Sequence, residues 1–176
     1  ATVAAVLLDR EARYPKLDID PSYGQLREPL LRVMHFLRSM EVIPNPARVA
    51  EIELDRMEDR IGQMVHHAPN VFSFFLPEYS PPGPVLTAGL KSPESLLLTG
   101  PKIINYLNGM VSLARFGLNS CDDGFGEIRW TNGNCYRMRR GEDDPDPVSV
   151  GYSTYLPENA SDVDGVIEEL NLLLAT

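Results

Sequence analysis

Five prolines fall within sixteen residues: Pro69, Pro77, Pro81, Pro82 and Pro84. Proline lacks the backbone donor and crowds the preceding helical turn, so no continuous helix crosses this stretch. Between the first two lies the apolar run Val71-Phe72-Ser73-Phe74-Phe75-Leu76. The chain must therefore fold as helical arms on either side of an irregular segment. So many rings beside so many prolines are expected to leave water. Phe72, Phe74, Phe75 and Tyr79 are read as a buried plug lying across helices that start near Leu26 and Pro101. At least two of the three phenylalanines are expected to be almost fully enclosed.

The arms show helical periodicity. Val3, Val6 and Leu7 share a face of a helix over 1–13. Leu26, Leu30, Val33, Met34, Leu37 and Met40 recur every three or four residues, and Pro29 suits a first turn, where its missing N–H costs nothing. A third helix is expected over 48–64, with Ile52, Met57, Ile61 and Met64 inward and a densely charged outer face. Ser92-Pro93-Glu94 reads as a helix start, with a break and restart at Gly100-Pro101 and a stop at Gly117. Ile103, Ile104, Leu107, Met110, Val111 and Ala114 give that segment a broad apolar face. A last helix starts near Ser161, read as its N-cap, with Val163, Val166, Ile167, Leu170, Leu173 and Leu174 on its apolar side.

The helical period disappears over 118–150. Glu127 to Trp130 and Cys135 to Met138 flank Thr131-Asn132-Gly133-Asn134, the pattern of a β-hairpin around Asn-Gly. An acidic loop, Glu142 to Pro147, follows. The expected fold is mainly α, an irregular multi-helix domain with a Pro/aromatic-rich buried loop and a small β-hairpin insertion. Residues 1–117 form the helical core, 118–150 the hairpin and acidic-loop insertion, and 151–176 a C-terminal helix packed on that core.

A chain of 176 residues can bury roughly 70% of its unfolded surface, enough for one self-supporting core. Its 25 acidic against 16 basic side chains give a net charge of −9, which disfavours a nonspecific nucleic-acid binder, since that needs clustered Lys and Arg. No run approaches the ~18–20 apolar residues of a transmembrane segment. Both terminal helices carry apolar faces and lack boundary signals, so the chain is expected to pair with a missing part of the same polypeptide or with another protein subunit.

Two stretches carry a family resemblance. One is Gly24-Gln-Leu-Arg-Glu-Pro-Leu-Leu-Arg-Val-Met-His-Phe-Leu-Arg-Ser-Met40. The other is Ala68-Pro-Asn-Val-Phe-Ser-Phe-Phe-Leu-Pro-Glu-Tyr-Ser-Pro-Pro-Gly-Pro84, followed by Ala88-Gly-Leu-Lys-Ser-Pro-Glu94. In order and spacing they resemble the C-terminal part of the uncharacterised family called "domain of unknown function 1800", over about residues 1–117. The resemblance implies a mostly helical, longer protein that is secreted or extracellular, with an organelle lumen as the alternative. It transfers no catalytic residue.

The chemistry-bearing residues are few. Cys121 and Cys135 lie fourteen apart around the expected hairpin. Hairpin neighbours can meet disulfide geometry, and export would favour the bond, while two reduced core thiols are the alternative. Zinc is disfavoured because no second Cys or His pair stands at ligand spacing. Asp122, Asp123 and Glu127 are a weak candidate for a hard cation, against a solvated acidic loop. Asp162-Val-Asp164-Gly165 imitates an EF-hand but fails the register, with Ala160 first and Asn171 twelfth. His66 and His67 are read as dipole partners at a helix end. Asn159-Ala160-Ser161 is a glycosylation sequon, usable in a secreted chain. No nucleophile elbow, zincin motif, phosphate-binding loop or complete dinucleotide fingerprint occurs, and no cofactor or metal is expected. Three readings stay open: a noncatalytic structural or protein-interaction module, a fragment of a hydrolase-like enzyme with acidic catalytic groups, and a cation- or small-ligand-binding module.

Overall fold

The computed structural model describes residues 2–9, 26–46, 54, 56–119, 123–126 and 151–175. Within them the chain is mainly helical with one small antiparallel sheet. The order is α1 (Thr2–Leu7), α2 (Pro29–Ser39), β1 (Val42–Pro44), α3 (Met57–Ile61), α4 (Pro84–Thr87), a 3-10 turn (Pro93–Leu97), α5 (Gly100–Phe116), β2 (Gly151–Ser153) and α6 (Val163–Ala175).

The core forms where α2, α3 and α5 meet. Val33 and Leu37, one turn apart on α2, pack with Met57 and Ile61 of α3, Leu113 of α5, and Leu118 and Phe125 beyond it. Leu118 and Phe125, assigned by sequence to the insertion, thus share one core with the helices.

The third helix is shorter than its periodicity predicts. Arg56 adopts a left-handed conformation before it, Gly62 another after it, and Leu54 forms a bridge with Gly126 instead of a helical turn. A glycine with positive φ is a common helix stop, because it has no Cβ to clash. The α3 carbonyls of Glu58 and Asp59 accept hydrogen bonds from Lys102 Nζ on α5. His66 and His67 therefore lie beyond the helix, exposed, and the dipole role expected of them does not apply.

The start of α2 uses a partner from α3's side of the core. Its own cap position, Glu28, makes no side-chain cap bond. Instead the buried Gln63 accepts the Leu30 N–H through Oε1 at 2.9 Å, and its amide donates to Glu28 Oε2. Gln63→Met should leave that N–H without its acceptor and cost about 1–2 kcal/mol in denaturant unfolding. An unchanged midpoint would show that water replaces the amide freely.

The exit of α2 is tied to a distant segment. β1 and β2 pair antiparallel, Val42 with Ser153, Ile43 with Tyr152 and Pro44 with Gly151. Pro44 sits at the strand end, where its missing donor is tolerated. Gly151 also exchanges backbone hydrogen bonds with Leu118. Ser153 Oγ donates to Met40 O and Thr154 Oγ1 to Glu41 O, which satisfies carbonyls freed at the α2 terminus. The hairpin expected over 127–138 lies outside the described residues.

The aromatic plug is corrected. Phe72 is 55% exposed, Phe74, Phe75 and Tyr79 are only half-buried, and none belongs to the core cluster. The segment is held by its backbone. Asn70 accepts the N–H groups of Phe72 and Ser73 in a tight turn, with Ser73 at positive φ. Tyr79 O accepts the Ser92 N–H, and Ser80 Oγ donates to Leu90 O, closing the loop that carries α4. The ring that fills the core is Phe125.

Helix α6 begins one residue later than expected. Asp162, not Ser161, caps it, with Oδ1 accepting the Gly165 N–H and its carbonyl accepting Val166 N–H. Its far end docks on α2, where Leu173 O meets His35 Nε2 at 2.7 Å and the Ser39 hydroxyl at 3.3 Å. Glu169 holds the connection from β2: it accepts the Tyr155 hydroxyl on one oxygen and the Glu158 N–H on the other. The Glu169 bond pushes the Tyr155 hydroxyl from its ordinary 10.0 up to about 12, with lesser contributions from burial and the Glu169 and Glu158 charges. A raised folded pKa means the contact contributes fully below pH 10 and is lost as pH rises through 12. The ultraviolet titration difference between wild type and Tyr155→Phe should have its midpoint near 12; an ordinary tyrosine midpoint would show that the bond to Glu169 is not made.

Candidate functional site

The described residues that the sequence singled out for chemistry do not converge. Asp123 is half-exposed and already engaged: Oδ1 is 3.5 Å from Arg60 Nη1, and Oδ2 accepts Asn108 Nδ2 at 3.3 Å. A guanidinium in that position opposes a second cation by charge. Asp122, Glu127, Cys121 and Cys135 lie outside the described residues. Among the described residues no three His, Cys, Asp or Glu side chains gather to hold a metal. His35 is occupied in joining α6 to α2. Asn159 lies on an exposed turn, its Oδ1 accepting the Ser161 N–H at 3.2 Å. Among the described residues Tyr106 also has a perturbed pKa; burial pushes it up, against the lowering effect of the Arg32 charge and hydrogen bond.

The arrangement with the clearest surface consequence is α5. Periodicity groups Ile103, Ile104, Leu107, Met110, Val111 and Ala114 on one broad apolar face. The structure turns most of them outward. Its buried residues are Gly109, Ser112 and Leu113. Gly109 faces Phe125 so closely that a Cβ there would lie 2.5 and 2.8 Å from the ring's Cε1 and Cε2, and nearer still to Cζ. Only glycine leaves room for the tip of the fully buried ring against the helix.

That one contact sets the rotation of the whole helix. At about 100° per residue, positions two before and two after Gly109 lie about 160° away from it. Leu107 and Val111 therefore point away from the core, with Ile104 and Ala114 beside them. Ile104, Leu107 and Val111 are 58%, 55% and 63% exposed. Ser112 and Asn119 complete the inner side: Asn119, fully buried, donates to Gly117 O at 2.8 Å and lies 3.4 Å from Ser112 Oγ.

Helix α5 carries no acidic side chain of its own, and Asp123 lies at its Asn108. Its two cations are Lys102, bound to the α3 carbonyls, and Arg115, whose guanidinium lies 4.9 Å over the Phe116 ring. The sequence groups these apolar residues, and burial of the most apolar face is the default reading for a helix. The signal that corrects it is Gly109, a helix-weakening residue in the middle of an otherwise favourable helix, which marks a close approach.

Further apolar residues are exposed on α1 (Val3, Val6 and Leu7) and α6 (Val163, Ile167 and Leu172). No helix among the described residues is long and apolar enough to cross a membrane. No family model, curated protein or solved structure matches the chain.

Proposed function

We propose that this chain is a noncatalytic structural or protein-interaction module, part of a longer exported protein or of a larger assembly. The observation that carries the reading is the outer face of α5. Ile104, Leu107 and Val111 stand in water on a helix whose inner side is anchored by Phe125, Leu113 and Lys102. Such contiguous apolar surface on a firmly held element is what an interface needs. The chemistry supports the same reading, because three of the described titratable groups are used in internal contacts: Asp123 with Arg60, His35 with Leu173, and Glu169 with Tyr155. The likeness to the "domain of unknown function 1800" family, in the residues quoted above, supports export and membership of a longer protein.

A photo-reactive amino acid placed at Leu107 tests it in the source cells, with the same group at Leu86 as the exposed control. The expected result is a covalent protein adduct from position 107 that the Ile104→Glu background abolishes. An adduct pattern identical at 107 and 86, or none at either, would contradict the reading.

A further inference from the structure

We infer that Asn159 is an N-glycosylation site, an inference that rests on the export part of the reading above. Of the chain's asparagines, Asn159 alone is followed two residues on by Ser or Thr, with Ala160 between them. Oligosaccharyl transfer to asparagine requires that pattern, and proline in the middle position would block it. The sequence alone leaves a competing use for the motif, because Ser161 is also a natural N-cap for the last helix. The structure removes the competitor. Asp162 caps α6, its Oδ1 accepting the Gly165 N–H at 3.1 Å, so the cap makes no use of the Ser161 hydroxyl.

Presentation follows from the connection that carries the motif. Residues 158 and 159 to 164 are all exposed. Glu169 accepts the Glu158 N–H, and Asp162 is tied to the first turn of α6, so the turn between them is fixed at both ends and faces water. Within it the Asn159 Oδ1 accepts the Ser161 N–H at 3.2 Å, and the Asn159 backbone carbonyl accepts the Asp162 N–H at 3.1 Å. Both bonds end on oxygens. The amide nitrogen, the atom that takes a glycan, is in neither.

The folded chain has room for the sugar. The flanking Leu156 and Val163 are 85% and 68% exposed, so a glycan there meets no packed core and covers apolar surface. The contact of α6 with α2 is made at Leu173, about 15 Å further along the helix axis than Val163. A glycan at position 159 leaves that contact free.

The chemistry is a group transfer. The donor is an oligosaccharide linked through its C1 to a lipid pyrophosphate. The bond from C1 to the phosphate oxygen breaks and a bond from C1 to Asn159 Nδ2 forms. The lipid pyrophosphate leaves, and the amide nitrogen gives up one proton to the transferring enzyme.

Directing the 176-residue chain through the secretory pathway of cultured eukaryotic cells, behind a cleavable leader, tests the site. The expected product is heavier than 19.6 kDa and returns to that mass with peptide N-glycosidase, which leaves an aspartate at position 159 in the peptide mass spectrum. Asn159→Gln and Ser161→Ala should each abolish the added mass, while Ser161→Thr keeps it, since threonine also supplies the hydroxyl. Both positions are exposed, so the unglycosylated variants should melt as the deglycosylated wild type does. A directed chain secreted with Asn159 bare would overturn the inference and leave the export reading standing, as would native protein recovered outside the cytosol with Asn159 bare. A glycan at Asn159 in protein from the source cells supports both. Native protein that is bare and cytosolic, beside a glycosylated directed chain, means that the export reading fails and the native modification falls with it.

Discussion

Phe125→Ala is expected to remove about 3–5 kcal/mol of stability, the usual cost of deleting a buried ring together with the cavity it leaves. Phe125 is fully enclosed, and the core around it includes Val33, Leu37, Met57, Ile61, Leu113 and Leu118. These residues come from α2, α3, α5 and the segment after it, so the cavity cannot close by moving one element. For a chain of this length the loss corresponds to a fall in Tm of roughly 6–20 °C. The contrast is Phe72→Ala. Phe72 lies in the most aromatic run of the sequence yet is more than half exposed, so its loss should cost under about 1 kcal/mol. Equal losses at the two positions would refute the assignment of Phe125 as the core ring.

Gly109→Ala is expected to reverse the ordinary rule for helices. In a free helix the substitution gains about 1 kcal/mol. Here the new methyl meets the Phe125 ring, which is itself packed on every side. Overpacking of this kind costs about 1–3 kcal/mol and sometimes more. With contacts this short the upper end applies, and the net result should be a loss of about 2 kcal/mol. The sign should change in the Phe125→Ala background, where the methyl has room and the helical gain returns. A double-mutant cycle in denaturant measures that coupling directly. Additive effects would mean that the ring and the glycine do not touch.

These two positions also show what could be read from the chain alone. The inner face of α2 was legible because Val33 and Leu37 repeat at helical spacing and Pro29 marks the start. The bounds of α5 were legible because Pro93, Gly100-Pro101 and Gly117 punctuate it. The rotation of α5 was not. Periodicity ranks faces by hydrophobicity, and the more apolar face is the one left in water. Its orientation comes from Gly109 against Phe125, sixteen residues apart, a lock of shape and not of polarity.

The small sheet was illegible for a different reason. Two three-residue strands, 42–44 and 151–153, are too short to show alternation, and they pair across more than a hundred residues. The plug failed because Phe72, Phe74 and Phe75 look identical to Phe125 in hydrophobicity. What separates them is backbone: Asn70 and the Ser80 and Ser92 bonds settle the loop without needing its rings inside. At the candidate site, exposed apolar surface was expected on the terminal helices, and α1 and α6 do expose it. The exposed apolar face of α5 follows only once the inward glycine is known.

Methyl NMR with a soluble paramagnetic agent tests the orientation of α5 most directly. In dilute solution the Ile104, Leu107 and Val111 methyl signals should broaden strongly, while those of Leu113, buried one turn away, should not. If Leu107 and Val111 are as protected as Leu113 in dilute solution, the apolar face points inward and the account is wrong.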